Sequence, residues 1–328
     1  MWLTGWNYRK QINITGSSGA GTNYQVLLKI GESSGASGYD FHIGGNSANF
    51  PSGKNQGGDL RFTASDGTTL LDFWVEKVTG SSPNRVAYVW VKVSADLGSN
   101  QSIYCYYGNS SASNYSNGDN TFLLFDDFNG SSIDTNKWTF ISGSGGLYLD
   151  GNSNLVIESN SNPYQMKSIN SFSIGAAVHT YARGTAGNGY GHYCDFFNNS
   201  GNNLNAYCGS PQTSTQMEFT TFSGGSYTTA TYTVSNRMSQ YYHYKITWRS
   251  GEGRFYQDDN LIATHTTNIP TSNQSAFFYP TATSGNQIKC DWVFVKKFVS
   301  SEPAFGSAGN EETPSSTIVA RRGLIMSM

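Results

Sequence analysis

The segment RVAYVWVKV, residues 85–93, alternates without a break: Val86, Tyr88, Trp90 and Lys92 fall on one face of an extended chain, and Ala87, Val89, Val91 and Val93 on the other. One face is wholly aliphatic. A strand lining a sandwich core needs this two-residue period, and an amphipathic helix does not produce it. The alternation recurs at 6–15, 24–30, 70–77 and 103–107, and the Gly, Ser and Asn clusters between these segments read as turns. Residues 31–58 are long and glycine-rich, so they are expected to form a surface loop excursion outside the core.

Composition extends this reading to the whole chain. Of 328 residues 13% are charged, about half the ~25% of an ordinary soluble domain. The 37 Gly, 21 Tyr, 19 Phe and 7 Trp suit twisted sheet with short turns and exclude a helical bundle. A formal charge of −2 without a Lys/Arg cluster removes the footprint of a nucleic-acid or anionic-membrane binder. No apolar run approaches the ~18–20 residues of a membrane span. The opening MWLTGW enters a strand pattern at once and lacks the sections of a secretory signal. That leaves a trimmed exported chain, or a protein reaching an exterior surface by another route such as virion assembly.

At ~100–200 residues per domain the length predicts two domains. GNSSASNYSNGDN, 108–120, is the clearest boundary. SSEPAFGSAGNEETPSS, 300–316, has the composition of a flexible linker. The closing TIVARRGLIMSM, 317–328, regains apolar character and is expected to dock, by adding a strand to a neighbouring subunit.

Five blocks of the first half, WNYRKQINIT (6–15), NYQVLLKI (23–30), DLRFTASDGTTLLDFWVEK (59–77), AYVWVKV (87–93) and IYCYYGN (103–109), resemble in that order a domain family of unknown function from archaeal and bacterial surface proteins. The resemblance covers about 1–120 and brings almost no biochemistry. The second half resembles the concanavalin A-like lectin/glucanase superfamily, including laminin-G-like modules. LLFDDFNGSSIDTNKWT (123–139), YHYKITWRSGEGRFYQDDNLIATHT (242–266) and IKCDWVFVKKF (288–298) carry it. The expected fold is therefore all-β: two antiparallel β-sandwich (jelly-roll) domains in series, 1–120 and a concanavalin A-like 121–299, followed by a linker and docking tail at 300–328. In the middle block Gln257 to Asn260 reads as a turn between returning strands.

Hydrolysis of a glycosidic bond needs two carboxylates flanking it, and the hydrolytic branch of the resembled superfamily carries them as E-x-D-x-x-E. No such motif exists here. Asp195 with Glu218, from different strands, is the remaining pair. The five His stand in no triad context, and no phosphate-binding glycine loop is present. Catalysis is thus not expected. The superfamily resemblance also implies a structural calcium, with the Asp291 carboxylate and main-chain oxygens near Asp127 and Gly151 as ligands. Oxygen donors of this kind suit Ca²⁺, while a plain hydrogen-bonding role for Asp291 is the alternative. No Cys/His cluster has zinc spacing.

In YCDFFNNSGNNLNAYC, 193–208, Cys194 and Cys208 are symmetric about Gly201. A hairpin folded there would place them opposite one another, as a cross-strand disulfide or as packed thiols. Cys105 and Cys290 are expected as buried free thiols. With Cys194, Phe196 and Cys208 inward, Tyr193, Asp195, Asn205 and Tyr207 project from the other side. Adding His179, Tyr181 and Arg183 from a neighbouring strand, with Glu218, gives aromatic platforms with polar rims, which hold sugars through ring stacking and hydroxyl hydrogen bonds; a second packing layer or an oligomer contact is the alternative use of such tyrosines. The expectation is a non-catalytic protein of a cell or virion surface that binds glycan or surface polysaccharide. Its rivals are a structural subunit of a virion, tail or filament, possessing homo-oligomeric or neighbour contacts through its tail, and an atypical glycosidase.

Overall fold

The computed structural model describes every residue except 142, 144–145, 159–161, 163, 186–190, 199–201, 209–215, 234–238, 281–286 and 315–328; for 185, 191–194, 202–208 and 216 it describes the backbone. The expected docking tail, 317–328, lies outside the described residues.

The first sandwich is built from β1 (Tyr8–Thr15), β2 (Tyr24–Gly31), β3 (Phe41–His42), β4 (Arg61–Thr63), β5 (Leu70–Leu71), β6 (Phe73–Thr79), β7 (Val86–Val93) and β8 (Gln101–Tyr107). The aliphatic face of β7 behaves as its alternation requires: Ala87, Val89, Val91 and Val93 are buried in a core shared with Ile12, Ile14, Val26, Leu28, Phe62 and Phe73. One sheet runs β3-β2-β7-β6. All its pairs are antiparallel except the short β2–β3 contact.

The second sandwich follows with β9 (Leu124–Asp126), β10 (Trp138–Ile141), β11 (Leu147–Leu149), β12 (Leu155–Glu158), β13 (Gln165–Phe172), β14 (Ala176–Thr185), β15 (Gly191–Asn198), β16 (Asn202–Cys208), β17 (Gln216–Ser223), β18 (Ser226–Thr233), β19 (Tyr242–Arg249), β20 (Glu252–Gln257), β21 (Asn260–His265), β22 (Gln274–Pro280) and β23 (Gln287–Lys297). A seven-stranded sheet, β10-β13-β22-β15-β16-β17-β18, packs on an eight-stranded one that includes β9 and the path β11-β12-β23-β14-β19-β20-β21. Trp138, Met166, Phe196, Phe219, Trp248 and Phe278 fill the space between. The turn expected between β20 and β21 forms at Asp258 and Asp259, with φ of 48° and 64°, the left-handed pair of a tight hairpin turn.

The stretch read as a linker contains a strand instead. β24 (Ala304–Glu312) returns from the second sandwich to the first and pairs with β1, giving the sheet order β24-β1-β8-β4-β5. Phe305 and Ala308 pack on the first core, and Phe305 stacks on Phe41 with centroids 5.9 Å apart. Glu312 receives an ion pair from Arg9 at 2.7 Å. The excursion at 31–58 also differs from expectation, because Phe41, Ile43 and Phe50 are core residues. Three apolar anchors in a glycine-rich stretch suffice to tuck it in.

Between the sandwiches lies an aromatic seam. Trp74 of β6 and Trp90 of β7 meet Trp292 and Phe294 of β23 across Phe122 and Phe125 of the connecting segment. Phe122 stacks on Phe294 at 4.0 Å, and Trp74 sets its edge against Trp292 at 5.8 Å. A Cβ on Gly118 would come within 2.4 Å of the Phe125 ring, so glycine is required where the connection crosses the seam. Removing one such buried tryptophan typically costs ~3–5 kcal/mol.

Candidate functional site

The outward face of the seven-stranded sheet carries the first candidate. Phe196 points inward and contacts Trp248 of the facing sheet at 5.4 Å, so alternation turns its neighbours Asp195 and Phe197 outward. On β22, Ala276 and Phe278 are core residues, which turns Phe277 and Tyr279 outward. Phe197 stacks on Phe277 with centroids 4.2 Å apart and planes 17° apart, and Tyr279 continues the row at 6.2 Å. On β17, Met217 and Phe219 point inward, so Glu218 shares the outward face.

Although turned from the core, Asp195 is 0% exposed, Phe277 4% and Glu218 9%. Asp195 and Phe277 are therefore covered, while Phe197 and Tyr279 are half-buried. β16 lies between the strands of the two carboxylates, and its backbone register pairs Tyr207 with Glu218 and Asn205 with Thr220. The side chains of Tyr193, Asn205 and Tyr207 lie outside the described residues. Phe277, its most buried ring, was not among the residues singled out from sequence; its signal was the alternation AFFYP at 276–280.

His179, Tyr181 and Arg183 do not belong to this face. β14 sits in the eight-stranded sheet, where Val178 and Ala182 face the core and His179 and Tyr181 face the seam. The Tyr181 ring is stacked between Tyr241 at 5.3 Å and Trp292 at 5.7 Å. These are contacts of a packing layer, and the Tyr181 and Tyr241 rings also line a cavity of about 370 Å³ with Trp292 and Asp291. Arg183 lies over the Tyr241 ring at 5.2 Å.

His179 stacks on Phe294 at 4.5 Å, and its Nδ1 lies 2.9 Å from Nε2 of His243. One imidazole must donate and the other accept, so neither needs a second proton. Burial holds the His179 pKa well below the usual imidazole value, assisted by the neighbouring His243, Lys245 and Lys296 charges. Burial also lowers His243, against the opposing pull of Glu76 and Asp259.

The residues proposed for calcium are differently engaged. Lys54, from the 31–58 excursion, places its ammonium on the Asp291 carboxylate. Asp127 accepts from the side-chain amides of Asn55 and Asn129, and Gly151 takes a positive φ of 74° in the turn beside Asp150, whose carboxylate accepts from Lys289 at 3.1 Å. Burial raises the Asp291 pKa and Lys54 opposes the rise. Among the described residues no group of three His, Cys, Asp or Glu is placed to hold a metal ion. An ammonium on the Asp291 carboxylate does not fit a divalent cation at that side chain; with the Asn55–Asp127 hydrogen bond it forms a polar clasp between the sandwiches.

A junction cleft of about 670 Å³, lined by Asn55, Asn114, Asp119, Asp127, Asp134 and Lys137, opens beside this clasp. Several of its polar groups are already paired, Asp119 with Lys137 at 2.6 Å and Asp127 with two amides.

The cysteine hairpin is offset from the expected register. Phe196 pairs with Leu204, and Gly191 with Cys208, with a register shift between His192 and Phe196. Cys208 is therefore opposite a residue three before Cys194, and the directly opposed pair does not form; the side chains of both cysteines lie outside the described residues. Cys105 and Cys290 are buried, and the Cys290 thiol donates to the Trp292 carbonyl at 3.2 Å.

The first sandwich's own motif proves to be structural. Asp59 is 0% exposed and accepts from the backbone N–H groups of Ala48 at 2.8 Å, Gly108 at 2.8 Å and Asn109 at 3.1 Å. Arg61 donates to the carbonyls of Leu60 and Ser113, each at 2.6 Å, and lies over the Trp6 and Tyr115 rings.

Sheets and site together define an all-β protein of two antiparallel sandwiches. Residues 56–141 match the family model described as a domain of unknown function (DUF2341). The match contains the blocks at 59–77, 87–93 and 103–109, leaves out those at 6–15 and 23–30, and runs through the junction into β10. A search of the curated proteins finds no match. Among solved structures, the chain is similar to an endo-β-1,3-glucanase from Pyrococcus furiosus, at 17% identity over 55% of this chain and 95% of that one, TM-score 0.45. It is similar also to a glycosyl hydrolase family 16 protein from Mycobacterium smegmatis, at 14% identity over 53% and 99%, TM-score 0.45. A Bacillus licheniformis β-glucanase gives 13% identity over 53% and 97%, TM-score 0.45.

Proposed function

We propose that the protein is a non-catalytic glycan-recognition protein of an exterior surface, and that the outward face of the seven-stranded sheet is its binding face. One observation carries the reading. The outward face of the seven-stranded sheet carries the aromatic row Phe197–Phe277–Tyr279, whose half-buried members Phe197 and Tyr279 reach the surface, together with the carboxylates of Asp195 and Glu218 on the same face. Rings offer a sugar's C–H face a stacking surface, and carboxylates accept from its hydroxyls. The resemblance of the first half to a surface-protein family supports the exterior setting. Binding of the intact chain to a glycan array, lost on Phe277→Ala, is the expected result; binding to no sugar would remove the proposal.

A second reading, hydrolysis, draws on the two buried carboxylates. Their strands are two spacings, about 10 Å, apart, and through Tyr207 the register sets Glu218 across from His192, three residues from Asp195, so the backbones are more widely separated than that, against the ~5 Å between the carboxyl groups of a retaining pair. That favours binding over retention. Release of reducing ends from a polysaccharide, abolished by Glu218→Gln, would establish the enzyme.

A further inference from the structure

Among the described residues the four sheet paths end in eight edge strands, with β9, ending at Asp126, a ninth off the path, and an edge is normally guarded by charge, proline or a cover. Seven of the eight are guarded by a charged residue within or next to them: Glu311 and Glu312 on β24, Asp72 after β5, Asp40 before β3, Glu76 and Lys77 on β6, Lys137 before β10, Asp150 after β11 and Asp259 before β21. The exception is β18. No Asp, Glu, Lys, Arg or Pro occurs between Glu218 and Arg237.

β18 is also well formed. All eight of its residues pair with β17, from Ser226 opposite Ser223 to Thr233 opposite Gln216. Ala230 and Tyr232 pack on the core, so Tyr227, Thr229, Thr231 and Thr233 line the outward face. The Thr229 hydroxyl bonds Thr220 at 2.9 Å, and Thr228 bonds Thr267 at 2.8 Å. Tyr227 is 71% exposed, and Leu261 on the neighbouring edge strand β21 is 52% exposed.

We propose that β18 is the contact edge for a second copy of this chain, the two strands pairing antiparallel about a two-fold axis at Thr229. Neutrality points to a like partner. On a two-fold axis the central residue meets its own copy, so a charge at that position would face itself, and the neutral threonine there avoids this. A different partner could instead match a charged edge with the opposite sign. Keeping both core faces on one side requires odd-numbered residues to pair with odd, and placing the axis near the middle of the strand, which spans Ser226 to Thr233, sets Thr229 against Thr229 and Tyr227 against Thr231 of the second copy. Threonine pairs suit opposed positions of an antiparallel ladder. The result is one continuous sheet with two outward faces side by side. The inference does not depend on what those faces bind.

Light scattering on the intact chain over rising concentration tests it. The expected mass is twice that of the chain. Thr229→Lys and Thr229→Glu should each give monomer, with unchanged far-ultraviolet dichroism and urea midpoint. An equal mixture of the two should recover the dimer, because the facing charges then have opposite sign. A wild-type chain that stays monomeric at its solubility limit, or a dimer that survives Thr229→Lys, would overturn the proposal.

Discussion

Acid should weaken this protein through two residues at the seam between its sandwiches. His179 and His243 are 3% and 8% exposed, bonded to one another at 2.9 Å, and burial lowers the pKa of both. In the unfolded chain each takes a proton near the ordinary value of about 6.5. Between that value and the depressed folded one, the unfolded state binds protons that the native state excludes, so stability is complete above pH 6.5 and falls as the pH drops. One unit lower, at about pH 5.5, the loss is about 1.4 kcal/mol if His179 alone stays neutral and about 2.8 kcal/mol if both do. A typical domain has only ~5–15 kcal/mol in total. Urea unfolding at pH 7.5 and at about pH 5.5, above the range where most carboxylates titrate, reads the difference directly. His179→Phe with His243→Phe should remove most of it whatever the double variant does to stability at neutral pH. A pH difference that is absent in the wild type, or equally large in the double variant, would refute the reasoning.

Lys296 is 0% exposed and bonded to Glu302, whose side chain is 32% exposed. Glu302→Ala should cost about 2–4 kcal/mol, somewhat below the ~3–5 of a fully buried pair, while Lys296→Met should cost clearly less because no bare ammonium is left; equal losses in urea would contradict this. A chain ending at residue 303 lacks β24 and bares the free edge of β1, so amide exchange should rise in β1 while the second sandwich stays protected. Unchanged exchange in β1 would count against the returning strand. Asp59→Ala strands the buried Gly108 N–H at ~1–3 kcal/mol and two part-buried donors, Ala48 and Asn109, at less, which should lower the urea midpoint, and an unaltered midpoint would rule out the staple.

Much of the architecture was legible because it is written in local alternation. RVAYVWVKV needed no tertiary knowledge to be read as a core strand, and Gln257–Asn260 announced its hairpin. β24 was illegible for a physical reason: AFGSAGNEE offers only Phe305 and Ala308 to the core, and its partner β1 lies at the opposite end of the chain. The residues of 31–58 looked like loop because three anchors, Phe41, Ile43 and Phe50, are diluted among glycines. Alternation told which residues of β14 and β15 share a face but not which sheet holds them. His179 and Tyr181 were therefore grouped with Asp195, although they face the seam. A single register shift in β15 displaced Cys194 from Cys208, and no spacing rule signals such an irregularity. Phe277 was passed over because buried rings and ligand rings look alike in sequence.

The central claim is that sugar is held on the outward face of the seven-stranded sheet. Hydrogen–deuterium exchange on the intact chain, with and without a saturating glycan from the array, tests it most directly. The account predicts protection in β15, β17 and β22 and none in β14 or β23. Protection confined to β14, β23 or the junction cleft, or no change with any glycan, would contradict it.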